Sequence, residues 1–209
     1  MTFLAAASAD SFLLVSKQAV SREEILKVAA ELFHAQGYRA TSLEQVADHF
    51  GVQRPAIYYY FPSKVAILIE IHNSALRELT ERLDEICRLD VGPDEKLEMV
   101  LRGQVQIYAA NISALAVFLE NEAELPANEA RHARKEKRRY NEALEGIYRE
   151  GVEQGLFVDL DPRIVNNGLN GITGWMFRWF DPSGEFSPDE VADILVALAR
   201  NGFRARATG

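Results

Sequence analysis

Punctuation is what most narrows the fold of this chain. From residue 20 onward, helix-start and helix-stop signals recur, and the apolar residues between them repeat at helical spacing. Ser21-Arg22-Glu23-Glu24 is a capping box, in which serine and glutamate satisfy each other's backbone amides. Ile25, Val28, Ala29, Leu32 and Phe33 then share one face, and Gly37 stops the helix. Thr41-Ser42 opens a short helix with Leu43, Val46, Ala47 and Phe50 inward, stopped by Gly51. A third short helix holds Ile57 and Tyr58, and Pro62-Ser63 breaks the chain before a long helix over about 64–88.

Four or five more helices follow. Pro93 starts one carrying Leu97, Val100, Leu101 and Tyr108; residues 112–124 read as a central apolar helix, broken by Pro126. Residues 128–154 form a long polar helix, and Asp161-Pro162 and Ser187-Pro188 open two more. No strand alternation and no internal repeat appears. The expectation is an all-α fold of about nine helices.

The 209 residues are 48% apolar and 26% charged, enough for a sizeable core. No apolar run approaches the ~20 residues of a membrane span, so no membrane partner is expected. One cysteine, Cys87, leaves no intrachain disulfide and suits a reducing cytoplasm; its spacing from Leu83 puts it in the core. The net charge of −8 argues against coating nucleic acid by bulk electrostatics, though not against a local reading surface. Residues 1–64 hold six bases and six acids, so the remaining residues carry the whole acidic excess. The apolar start of residues 1–20 lacks a basic region and reads as an N-terminal arm rather than a signal peptide.

Residues 42–61, SLEQVADHFGVQRPAIYYYF, carry the functional signal. Ala47 sits where two helices cross closely, Gly51 sits where a tight turn needs positive φ, and Val52 and Ile57 point back to the core. This is helix-turn-helix spacing, although small helical hairpins share it. Tyr58, Tyr59 and Tyr60 stand ~100° apart around a helix, so at least one must be exposed. Lys64 opens the next helix, where a cation opposes the helix dipole and a nearby phosphate would explain it.

Gly37-Tyr38-Arg39-Ala40-Thr41-Ser42-Leu43, Val46-Ala47, Gly51-Val52, Ile57 to Phe61 and Ser63-Lys64 together resemble the N-terminal domain of TetR-family transcription regulators, over residues 21–68. The resemblance implies a DNA-binding domain over residues 21–66 and a ligand-binding and dimerisation domain over 67–209. It implies a homodimer on a palindromic operator and a small hydrophobic effector. Arg39, Thr41, Ser42, Gln53, Arg54, Pro55, Tyr58, Tyr59, Tyr60 and Lys64 become the candidate DNA contacts. Thr41, Tyr60 and Lys64 would hold phosphates, Tyr58 and Tyr59 phosphates or in one case a base edge, Arg54 a guanine edge and Pro55 a thymine methyl, with core packing the alternative for Tyr58 or Phe61. The chain departs from the family at Gln53, a poor N-cap where many relatives carry serine.

In the second domain, Val165, Leu169, Ile172 and Met176, with Val191, Ile194, Leu195 and Leu198, form stripes suited to the family's four-helix dimer interface. Gly168, Gly171 and Gly174 lie on one helix, allowing close backbone approach there or room for a ligand; the interface is favoured. NGITGWMFRWFDPSGEFSPDEVAD, residues 170–193, is similar to a TetR branch that senses acyl-CoA thioesters. Arg178 inside it needs a carboxylate or a ligand phosphate. Residues 131–139 hold six bases and one acid, a solvated face or a landing patch for coenzyme A phosphates. Met99, Tyr108, Phe118, Arg138, Trp175 and Arg178 are the candidate ligand residues.

The four histidines lack metal-ligand spacing, and no nucleophile elbow, phosphate loop or dinucleotide fingerprint appears, so neither metal, cofactor nor catalysis is expected. Three classes stay open: a ligand-controlled repressor, a helical enzyme or acyl-CoA carrier with a worn helix-turn-helix, and a constitutive DNA-binding module or activator.

Overall fold

The computed structural model describes residues 20–201; the N-terminal arm, apart from Val20, lies outside them. Among the described residues there are nine α-helices and no strand. They are α1 (Arg22–Gln36), α2 (Leu43–His49), α3 (Arg54–Tyr60), α4 (Lys64–Cys87), α5 (Pro93–Ala110), α6 (Ile112–Glu120), α7 (Ala127–Glu153), α8 (Pro162–Gly174) and α9 (Pro188–Asn201). Short 3-10 turns, Glu122–Glu124 and Trp175–Arg178, follow α6 and α8.

The caps act as the sequence implies. Ser21 closes its capping box with Glu24, Ser42 closes one with Gln45, and Ser63 Oγ accepts from Ala66 N–H at 3.2 Å. Asp161 accepts from Arg163 N–H at 2.9 Å, and Ser187 pairs with Glu190. Gly37 and Gly51 take φ of 90° and 61°, which a side chain would resist. Gln53 makes no side-chain cap, and Pro55 sits in the first turn of α3.

One continuous apolar cluster runs from α1 to α7, through Phe33, Ile57, Phe61, Ile67, Leu68, Leu83 and Ile86. Each such buried side chain contributes roughly 1.5–3 kcal/mol. The cluster crosses the boundary expected at residue 66, so the small N-terminal bundle is fused to the larger one. α1 packs on α6, and Arg22 reaches Glu70 at 3.0 Å while its guanidinium covers Phe61. A second cluster of Val105, Ala109, Met176, Phe180, Val191 and Ala192 joins α5 and α9.

Two expectations change here. The helix opened by Pro162, expected to carry its stripe on to Met176, ends at Gly174 and tightens into the 3-10 turn; Met176 points into the second cluster with no exposure. Cys87 is exposed as the last residue of α4, although its neighbour Ile86 is buried.

Candidate nucleic-acid interface

α2, a turn and α3 build the surface. Gly51 N–H donates to Asp48 O and Val52 N–H to Ala47 O, folding the turn back under α2. Ile57 and Phe61 fix α3 from below, being fully buried. Most of the remaining α3 side chains turn outward. Gln53, Arg54 and Pro55 are exposed, Tyr58 is 40% exposed and Tyr59 is 83% exposed. Tyr60 is half-buried, edge-to-face with Tyr59 at 5.1 Å.

Arg54 is already occupied. It pairs with Glu44 on α2, and its guanidinium donates to Tyr58 Oη at 3.4 Å. Glu44 sits below the usual carboxylate range, held there by hydrogen bonds at the start of α2 and by Arg54. The two acts together preset Arg54 beside the tyrosine face. Glu44 was not among the candidate residues; only its place in the first turn of α2 could have suggested it.

Thr41, Lys64, Ser42 and Arg39 make contacts within the chain. Thr41 is buried, and its hydroxyl donates to Gly37 O at 3.0 Å and Leu32 O at 3.3 Å, closing the α1–α2 corner. The hydroxyl expected to meet a phosphate is engaged at this corner. Lys64 is half-buried, and its ammonium donates to the carbonyls of Tyr38, Thr41 and Arg39 at 2.7, 2.8 and 3.2 Å. Backbone carbonyls thus surround the cation at this helix start. Ser42 is engaged in its cap, and Arg39 turns to Glu124 after α6 at 2.8 Å. Arg39, largely exposed, thus reaches from the small N-terminal bundle to the turn after α6.

The six ligand candidates do not converge. Met99 is half-buried against the main core, and Tyr108 is buried, its hydroxyl pKa pushed well up by burial. Tyr108 lines a cleft of about 220 Å³ between α1, α4, α5 and α6. Phe118 is buried between Lys137 Nζ at 4.6 Å and the His72 ring at 5.1 Å. Arg138 is exposed on α7. Trp175 is exposed, and Arg178 takes the carboxylate partner, Glu120 at 2.7 Å, lying over Phe177 and Trp175.

The interface candidates divide as well. Ile194 and Leu198 are exposed, while Leu195 and Ile172 are half-buried. Met176 and Val191 belong to their own chain's core, and Val165 and Leu169 face a cavity between α5, α7, α8 and α9. The outer face is Ile164, Gly168 and Gly171 of α8 and Trp175 of the turn that follows it, with Trp179, Ile194 and Leu198. A Cβ on Gly168 or Gly171 would meet nothing within this chain.

His72 carries no sequence signal beyond its place on α4. It is 1% exposed, and neither ring nitrogen has a hydrogen-bond partner. Burial, and then the Lys137 charge, push its pKa down to about 4.

Comparison with known proteins agrees with this architecture. Residues 25–71 match the family model for bacterial regulatory proteins of the tetR family, and residues 90–203 match the tetracyclin repressor-like C-terminal domain. The HTH-type transcriptional repressor KstR2 of Rhodococcus jostii is 29% identical over 184 residues, 87% of this chain and 90% of the relative. A TetR/AcrR-family regulator structure from Thermobifida fusca is 38% identical with a TM-score of 0.68, covering 88% of this chain and 98% of its own. The TetR regulator PfmR from Thermus thermophilus is 30% identical with a TM-score of 0.78, covering 87% and 99%. A surface helix bearing Arg54 and two exposed tyrosines, set on a second helical domain, thus has its family: the chain belongs to the TetR family of bacterial transcriptional regulators.

Proposed function

We propose that this protein is a cytoplasmic, dimeric repressor that reads a palindromic operator through α3 and lets go when a small hydrophobic effector binds. It acts by binding alone, without catalysis. The observation that carries the reading is the outward set Arg54, Pro55, Tyr58 and Tyr59 on a helix whose inner side is locked by Ile57 and Phe61. A guanidinium suits a guanine edge, and phenols suit phosphate oxygens. The kinship with KstR2, a repressor by name, supports the sign of regulation.

The apolar outer face of α8 and α9 supports dimerisation, since two copies would present two recognition helices one operator turn apart. A second reading of the effector, an acyl-CoA thioester, is favoured by Arg131, Lys135 and Arg138, exposed on α7 and free of ion pairs.

The test is fluorescence anisotropy with the DNA upstream of the protein's own gene, at about 150 mM salt with unrelated competitor DNA, because phosphate contacts alone are salt-sensitive and unspecific. Tight, competitor-resistant binding that Arg54→Ala removes is the expected result. Equal affinity for both DNAs would count against the operator reading and favour a carrier.

A further inference from the structure

The surface built by α2, the turn and α3 carries very little positive charge. Residues 42–61 hold one permanent cation, Arg54, against two carboxylates, Glu44 and Asp48. The cations on either side are engaged. Lys64 donates to three backbone carbonyls, and Arg39 reaches Glu124 at 2.8 Å. Arg54 is itself paired with Glu44. Phosphate neutralisation by lysine and arginine supplies most of a protein's affinity for DNA of any sequence. This face is poor in that attraction.

Glu44 is held in its place. It stands in the first turn of α2 with its side chain 38% exposed. Its own backbone N–H and the Ser42 side chain hold the carboxylate below the usual range, and Arg54 adds to this, so it is ionised at neutral pH. Tyr58 closes the other side of Arg54. Its Oη accepts from the guanidinium at 3.4 Å, and its ring centre lies 5.7 Å from the guanidinium carbon.

A lone guanidinium and an ion pair treat the two parts of DNA differently. A lone guanidinium is drawn to any phosphate and gains from counterion release. A guanidinium already neutralised by a carboxylate gains little, because the phosphate must stand beside that carboxylate or displace it. A guanine edge is uncharged and offers O6 and N7 as acceptors, so reading it sets no second anion beside Glu44.

We propose that Glu44 is a specificity-determining residue: by pairing with Arg54 it masks the guanidinium from DNA phosphates and leaves it for a base edge. The base edge rests on the operator reading of α3; the masking of phosphates does not.

The test is fluorescence anisotropy of the full chain on two duplexes of equal length, the DNA upstream of its own gene and an unrelated sequence, over about 50–300 mM salt. Glu44→Gln keeps the shape of the side chain and removes its charge. On unrelated DNA this variant should bind about fivefold more tightly near 150 mM salt and steepen the salt dependence by about 0.9, the worth of one phosphate contact. On the upstream DNA it should gain less than about twofold, so its preference shrinks. Asp48→Asn removes an equal charge from an exposed site near the other end of α2 and should leave slope and preference close to wild type. Adding Arg54→Ala to Glu44→Gln should erase the gain on unrelated DNA, because the effect runs through that guanidinium. Circular dichroism melting checks the fold, and Glu44→Ala replaces a variant that melts early. Unchanged affinity of Glu44→Gln for unrelated DNA, an equal gain on both duplexes, an equal effect from Asp48→Asn, or a gain that survives Arg54→Ala would each overturn the proposal. A wild-type chain with no preference for the upstream duplex would count against the operator reading instead, and the unrelated duplex would still decide whether Glu44 masks Arg54.

Discussion

Arg54 and Lys64 are both cations near the expected DNA surface, yet the structure gives them opposite work. Arg54 is exposed and leans on Glu44, a partner that DNA can displace. Arg54→Ala should leave melting unchanged within about a degree and cost the operator complex about 1–3 kcal/mol, read as a roughly ten- to hundredfold loss in anisotropy. Lys64 is spent on three carbonyls. Lys64→Ala should therefore destabilise the protein by roughly 1–3 kcal/mol, seen in urea denaturation, before any phosphate contact is at stake. Sequence alone could not separate the two, because a lysine at a helix start reads the same whether a phosphate or a set of carbonyls stands in front of it.

His72 sharpens the same point. Its pKa is depressed to about 4, below the unfolded value of 6.5, so the folded state resists a proton that the unfolded chain accepts. Its contribution is thus intact above about pH 6.5 and is lost as pH falls toward 4, at a cost of about 3 kcal/mol across that window. Urea denaturation at stepped pH should show stability falling over this range. His72→Leu, which removes two unpartnered ring nitrogens, should flatten that slope and raise stability at neutral pH. An unchanged slope in the variant would assign the acid sensitivity to other groups.

At the scale of elements, helix starts were the most legible feature. Ser21, Ser42, Ser63, Asp161 and Ser187 all sit where their caps imply, since a cap is a local bargain between a side chain and its own next turn. Faces were less legible. Val165 and Leu169 carry the right spacing for an interface, but spacing fixes only that residues share a side of a helix, not what that side meets. The α7–α8 link shows what a turn can hide. Leu156 and Phe157 N–H groups donate to Gly151 O, and Phe157 stacks on Tyr148 at 5.3 Å. A Cβ on Gly151 would come within 2.2 Å of the Phe157 ring. Gly151→Ala should therefore expel Phe157, cost roughly 1–3 kcal/mol in thermal melting, and expose the link to limited proteolysis. A variant with wild-type melting and cleavage would mean that the ring shifts without cost.

The whole molecule is incomplete as a single copy. Ile164, Trp175, Trp179, Ile194 and Leu198 stand 39–70% exposed on one side of the C-terminal helices, a concentration of large apolar groups that soluble monomers avoid. Gly168 and Gly171 leave room there for a second backbone to come close. A copy related by a two-fold axis would cover this face with itself and would pair two recognition helices on a palindrome. Ile194 is more than half exposed, so replacing it should disturb the interface without opening the core. Ile194→Arg places a guanidinium where its partner's equivalent would stand against it. Light scattering after gel filtration should shift from dimer to monomer. The melting temperature, concentration-dependent in the wild type, should become independent of concentration. Operator affinity should fall by about a hundredfold or more, because each half-site would then be held without the effective concentration supplied by the other. Far-UV dichroism at 25 °C should not change. A variant that stays dimeric would place the interface elsewhere and leave this apolar face without its partner.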